Sequence, residues 1–161
     1  MALFPERVAV DPAAPGTILR IALGFEAALT VGMGLYFTIF PRHYLLNTLM
    51  ADPLQATGTA LQLTQQFGMA NVLVGCAEGA FIPNTRATIE SRRGLYILLL
   101  GFECAYVPLL LWQAYGQKGG FPTEGLVSLA SQFVPFIAWR TFVLLWKGEW
   151  FGRVLDGRKT K

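Results

Sequence analysis

Histidine and cysteine are scarce in this chain, and charge is scarcer than in a soluble domain. His43 is the only histidine, and Cys76 and Cys104 are the only cysteines. A histidine-ligated metal centre needs several such ligands, so none is expected. The two cysteines form no C-x-x-C motif, which argues against thiol-redox chemistry, and within apolar runs they read as small packing residues. Charged residues make up 14% of the chain against a hydrophobic fraction of 53%, where a soluble domain carries about 25% charge. Too little polar surface remains to clothe a soluble bundle. No nucleotide, flavin or haem motif is visible, so no cofactor is expected.

What the chain does have is long apolar runs. Four reach the roughly 20 residues that cross a bilayer: residues 17–40, 59–81, 94–115 and 126–146. Breakers bound them, with Pro15-Gly16 and Pro41-Arg42 around the first, and Asp52-Pro53 and Pro83-Asn84 around the second. The stretch from Gly116 to Gly120 separates the third from the fourth. The expected fold is all-α, an integral membrane four-helix bundle. Residues 1–16 form an N-terminal segment, 17–146 the bundle and 147–161 a basic tail.

Four spans place both termini on one side. That side collects Arg7, Arg20, Arg86, Arg92, Arg93, Lys147, Arg153, Arg158, Lys159 and Lys161, whereas the opposite loops hold Arg42 and Lys118. The positive-inside rule then puts both termini in the cytosol. Net charge is +3 and the isoelectric point is about 9.1. These cations flank spans instead of forming an organised basic face, so they predict contact with anionic lipid and not with nucleic acid. Residues 1–16 lack the basic start and short apolar core of a signal peptide. The terminal Arg158-Lys159-Thr160-Lys161 resembles a dilysine retrieval signal, which points to the endoplasmic reticulum.

A short repeat runs through the apolar sequence. LGFEAA at residues 23–28 recurs as LGFECA at 100–105, and Gln66-Phe67 recurs as Gln132-Phe133. A helix pair duplicated in tandem would produce both matches. Within the helices, Gly24, Ala28 and Gly32, and again Gly75 and Gly79, have the small-x-x-x-small spacing that lets backbones approach. Pro135 predicts a kink in the fourth span. Gln65 and Gln66 read as interhelical clamps.

Polar groups follow depth and phase. At a rise of 1.5 Å per residue, Glu26, Glu78, Glu103 and Arg140 all lie within about 5–14 Å of the cytosolic boundary, one per span. At 100° per residue, Asn71 shares a stripe with Glu78, Tyr96 with Glu103, and Gln132 with Arg140, while Tyr106 borders the third stripe. Lipid will not host such stripes, so they are expected to line a common pocket open toward the cytosol. Each ionisable residue costs about 2.5–3.5 kcal/mol to insert near a helix centre, which packing alone has no reason to incur. Three carboxyls against one guanidinium leave at least one carboxyl holding its proton, beside another that is ionised. That is an acid–base arrangement. Glu103, Glu26, Glu78 and Arg140 are the candidate catalytic residues. Asn71, Tyr96, Tyr106, Gln132 and Trp139 are the candidate substrate-binding residues, with Trp139 offering a π-face beside the acids. Trp112, Trp146 and Trp150 read as interfacial belt residues.

In size, span number, membrane-embedded Glu26, Glu78 and Glu103, and basic tail, the chain resembles small polytopic membrane enzymes of fungal natural-product pathways, namely cyclases and epoxide-opening enzymes. The resemblance covers the layout of the chain and implies acid-initiated chemistry at those three positions. A DoxX-like four-helix bundle is a looser likeness and implies no reaction.

The leading expectation is therefore a membrane enzyme carrying out cyclisation, isomerisation or epoxide opening on a lipophilic small-molecule substrate. Glu103 would serve as proton donor and Glu26 or Glu78 as base. The alternatives are a non-catalytic scaffold, lipid-binding or accessory protein working with pathway enzymes, and a proton-coupled carrier that would need a homo-oligomer to enclose its path.

Overall fold

The computed structural model describes residues 9–117 and 120–155. Arg7, Lys118, the first half of the N-terminal segment and the end of the basic tail, with Arg158, Lys159 and Lys161, lie outside the described residues. Among the described residues the fold is all-helical: α1 (Thr17–Ile39), a single turn α2 (Pro41–His43), α3 (Gly58–Ala80), α4 (Arg86–Gly116) and α5 (Thr123–Trp146). A π-helical turn at Tyr44–Thr48 extends α2, and a 3-10 turn at Gly148–Phe151 follows α5. Three helices, α1, α4 and α5, are long and apolar enough to cross a membrane. The second predicted span corresponds to α3. It is as long as α1, and its Gln62, Gln65, Gln66, Asn71 and Glu78 lower its hydropathy.

Local chemistry sets the helix ends. Thr57 accepts a hydrogen bond from the Ala60 amide at 3.2 Å and starts α3. Thr85 and Thr88 form a reciprocal capping box at the start of α4, which satisfies amides that have no partner in the first turn. That cap explains why α4 begins eight residues before the expected start at residue 94. The apolar run marks what lipid can cover, whereas the cap marks where the helix nucleates. Likewise α5 begins at Thr123, directly after Pro122, and not at residue 126.

Close backbone contact is concentrated in two antiparallel pairs, α1 with α3 and α4 with α5. Small residues let the first pair close, Gly75 on α3 as expected, but on α1 Gly34 in place of Ala28 and Gly32. A Cβ on Gly34 would stand 2.6 Å from the Gly68 carbonyl oxygen, and one on Gly75 would stand 2.9 Å from the Ala27 carbonyl oxygen. Gly32 has no neighbour within 4 Å of such a Cβ, and Ala28 is exposed. Seven-residue spacings, Ala27 with Gly34 and Gly68 with Gly75, set the contact face. Ala28 and Gly32 point outward because burying Glu26 turns the helix the other way, while Gly24 is half-buried beside Ile82. Gln65 does clamp the pair, donating to the Thr38 carbonyl at 3.2 Å, while Gln66 is exposed.

The repeated segments occupy equivalent places in the two pairs. Leu19 and Tyr96, aligned across the repeat, are both fully buried in one cluster with Leu23, Val143 and Phe151. Phe67 and Phe133 line one cleft. The segments before α1 and after α5 meet at this end of the bundle: the Asp11 amide donates to the Arg153 carbonyl at 2.9 Å, and Val10 bridges Val154.

Arg92 locks that end, a role the sequence reading did not assign to it. It is fully buried, and its guanidinium donates to the carbonyls of Phe81, Phe151, Ile82 and Pro83 and to Asn84 Oδ1, at 2.9–3.1 Å. One side chain thus ties the α3–α4 turn to the 3-10 turn after α5.

Candidate functional site

Each long helix contributes one ionisable side chain to a single buried cluster. Glu26 on α1 and Glu103 on α4 are 5% exposed, and Glu78 on α3 and Arg140 on α5 are 3% exposed. Arg140 Nη2 donates to Glu26 Oε2 at 2.9 Å, and Nη1 donates to Glu103 Oε1. The two glutamates that align across the sequence repeat thus share one guanidinium, one from each helix pair. Glu78 bonds neither nitrogen. The Thr30 hydroxyl lies beside its carboxyl, and Glu26, Arg140 and Glu103 are its charged neighbours. Glu78 Oε2, Glu103 Oε2 and Arg140 Nε are buried without a hydrogen-bond partner in the protein. Buried polar atoms are nearly always paired, so these three depart from the usual pattern of a protein interior.

Aromatic rings floor the guanidinium. Arg140 Cζ lies 5.6 Å from the Tyr96 ring centre and 5.7 Å from that of Phe136, within cation–π range. Trp139 donates to the Tyr96 hydroxyl at 3.2 Å and packs on Trp150.

Directly beyond Phe136 and Thr30 lies an apolar cleft of about 320 Å³ between the two helix pairs. Asn71, Tyr106 and Gln132 line it, together with Tyr44, Phe67 and Phe133. Three of the five predicted substrate-binding residues therefore converge on one cleft. Tyr96 and Trp139 do not, since they sit on the far side of Arg140, in the closed core near the termini. The position of the cleft departs from expectation. Fully buried Leu19, Leu23, Tyr96 and Val143 seal the terminal side, and the open space runs toward the other end. The seal forms because Phe151 and the Arg92 lock fold the post-α5 turn onto that core.

Tyr44 lies just beyond the first apolar run, at the start of the π-helical turn. The π-helical turn aims it inward, where it lies in stacking range of Phe37 at 4.1 Å. Burial, reinforced by Tyr106 and Tyr36, pushes its phenol above the ordinary value, so it remains a neutral donor. Pro135 lies on α5 between Gln132 and Phe136, and α5 runs through it unbroken. Cys76 and Cys104 are exposed on the outside of the bundle, not packed within it. Trp112 and Trp146 are also exposed, whereas Trp150, expected in the same belt, is half-buried against the core of Leu19, Leu23 and Tyr96. Among the described residues no three His, Cys, Asp or Glu side chains are placed to hold a metal ion, and Arg140 occupies the space between Glu26 and Glu103.

Comparison with protein-family models, curated proteins and solved structures gives no match.

Proposed function

We propose that the chain is a four-span membrane enzyme of the endoplasmic reticulum, with both ends cytosolic, that performs cofactor-free acid–base chemistry on a lipophilic metabolite. One observation carries the reading: three carboxyls and one guanidinium are buried together, a single side chain away from an apolar cleft large enough for a small ligand. The length of α3, equal to that of α1, and its close pairing with α1 support the fourth span. The basic residues flanking the terminal end support the orientation.

Arg140 divides the roles. Glu26 and Glu103 bond the guanidinium and stay ionised. Glu78, with no such bond, is the proton donor, a role that the sequence alone had put on Glu103. In the proposed reaction Glu78 passes its proton, through the adjacent Thr30 hydroxyl, to an epoxide oxygen, carbonyl oxygen or alkene carbon in the cleft. The electron-rich faces of Phe136 and Tyr106 stabilise the positive charge that develops. Loss of a proton from the product cation, or attack by water with loss of a proton, ends the reaction and restores Glu78. Cyclisation, isomerisation and ring opening all fit this scheme.

A second reading has its own observation. The two helix pairs share little backbone contact, so Arg140 bridging Glu26 and Glu103 also acts as a strut between them, as a non-catalytic accessory protein would need. The test compares membranes from cells expressing the wild type, Glu26→Gln, Glu78→Gln and Glu103→Gln, profiling apolar metabolites by mass spectrometry alongside protein yield. The enzyme reading expects Glu78→Gln to abolish a conversion at normal yield. Identical profiles from the wild type and all three variants would end it in favour of the strut.

A further inference from the structure

Gln66 on α3 is exposed, although its neighbour Gln65 is occupied at the Thr38 carbonyl. Gln62, one turn earlier, is exposed as well. Neither of these two side chains has a hydrogen-bond partner among the described residues. Gln66 lies eight residues into α3, about 12 Å from its start. On the four-span reading proposed above, on which this inference rests, that depth is inside the hydrocarbon. Lipid tails offer an amide no partner.

The two glutamines belong to a longer pattern. Thr59, Gln62, Gln66, Met69, Leu73 and Cys76 follow alternating spacings of three and four, and all six are exposed. Such spacing is the a/d repeat along which two helices pack with a left-handed crossing. At 100° per residue the stripe lies on the side of α3 opposite Gly68 and Gly75, whose backbone meets α1. Phe67 and Asn71, which line the cleft beside the cluster, fall outside the stripe. Outward residues of α4, such as Ile97, Leu98 and Phe102, are plain hydrocarbon by comparison. Among the described residues, α3 is also the long helix that falls short of the apolarity needed to cross a membrane. A helix of that composition crosses when protein covers its polar sides, and α1 covers one of them.

We propose that the chain pairs with a second copy of itself along this stripe, α3 against α3. Two copies inserted in one orientation run their α3 helices parallel, and a two-fold axis along the membrane normal sets identical residues opposite each other. The stripe suits that symmetry. A glutamine amide carries both donors and an acceptor, and a hydroxyl carries both as well, so Gln62, Gln66 and Thr59 each bond their own counterparts. No charged side chain on the stripe repels its copy. Met69 and Leu73 pack between the polar layers and the layer in which Cys76 meets Cys76.

The experiment uses the full chain in membranes from expressing cells, with copper phenanthroline as oxidant. A disulfide closes only where two Cα atoms come within about 7 Å. Cys104→Ser, which leaves Cys76 as the one cysteine, is expected to give a dimer on a non-reducing gel. Cys76→Ser, which leaves Cys104 on α4, is expected to give none. In a background lacking both cysteines, Met69→Cys and Leu73→Cys are expected to cross-link, whereas Leu63→Cys and Val74→Cys, exposed but off the stripe, are not. Equal cross-linking at all these positions marks random collision and overturns the stripe. Failure at Cys76, Met69→Cys and Leu73→Cys overturns the second copy and leaves the face to lipid or to a different membrane helix.

Energy transfer between labelled copies, followed as the protein is diluted with phosphatidylcholine, reads the glutamine contribution. Gln66→Leu is expected to melt with the wild type and to weaken pairing about three- to tenfold. Unchanged or tighter pairing overturns the glutamine bonding. Leu54→Cys and Ala87→Cys, flanking the two ends of α3 in the cysteine-free background, separate this inference from the four-span reading. An impermeant maleimide that reaches them from opposite faces of sealed vesicles, with no cross-link on the stripe, removes the pairing alone. Labelling of both from one face removes the fourth span and the pairing with it.

Discussion

Arg140 on α5 donates to Glu26 on α1, 114 positions earlier in the chain, at 2.9 Å, and the same guanidinium holds Glu103 on α4. The contact crosses the seam between two helix pairs that otherwise meet through side chains and clefts. A buried ion pair adds little over a well-packed apolar substitute, but removing one partner strands the other's charge. The behaviour of variants follows from that asymmetry.

Arg140→Met is expected to cost about 3–5 kcal/mol, because it leaves Glu26 and Glu103 buried without their cation. Adding Glu26→Gln and Glu103→Gln is expected to recover most of the loss. Denaturant unfolding in detergent micelles, followed by tryptophan fluorescence, measures both. A single variant as stable as the wild type would show that the guanidinium does not join the pairs.

Glu78→Gln should behave differently from the other two glutamate variants. Glu78 has no bond to Arg140, so its loss strands no charge and stability is expected to change by less than about 1 kcal/mol, while Glu26→Gln and Glu103→Gln each remove a charge-assisted hydrogen bond worth about 1.5–3 kcal/mol. Unfolding curves of the three variants side by side check the order. If all three are equally destabilised, Glu78 is as tightly held as the others and the division of roles falls.

Gly34→Val and Gly75→Val are expected to force α1 and α3 apart, since a Cβ at either site would meet backbone at 2.6–2.9 Å. Overpacking of this kind typically costs about 1–3 kcal/mol. Gly32→Val, with open space around it, serves as the control and should melt with the wild type. A reversed order would place the α1–α3 contact on the Gly24, Ala28 and Gly32 face after all.

Arg92→Lys keeps the charge but replaces a planar fork of five donors by three mobile ones. The turn that contains Phe151 is expected to lose its anchor, so amides near residues 147–155 should exchange hydrogen faster by at least about tenfold, equivalent to about 1.4 kcal/mol. Arg93→Lys, at an exposed position, should leave exchange unchanged. Unaltered protection in Arg92→Lys would mean that the β-bridge between Val10 and Val154 closes that end unaided.

Apolar run length and the depth of its few charges carried much of this protein in the amino-acid order alone. The helices follow from the runs, and the meeting of Glu26, Glu78, Glu103 and Arg140 follows from the cost of leaving them in hydrocarbon, which permits only one shared interior. Helical phase also put Asn71, Tyr106 and Gln132 on inward stripes. Tertiary packing decided the rest. Several glycine faces were available for contact, and the one used was chosen by burying Glu26. Arg92 looked like one more flanking cation until the turn after α5 brought the Phe151 carbonyl to it. The side on which the cluster is sealed depends on that same turn folding over Leu19, Leu23 and Tyr96. It is a contact between residues far apart in sequence, and no periodicity within a single helix encodes it.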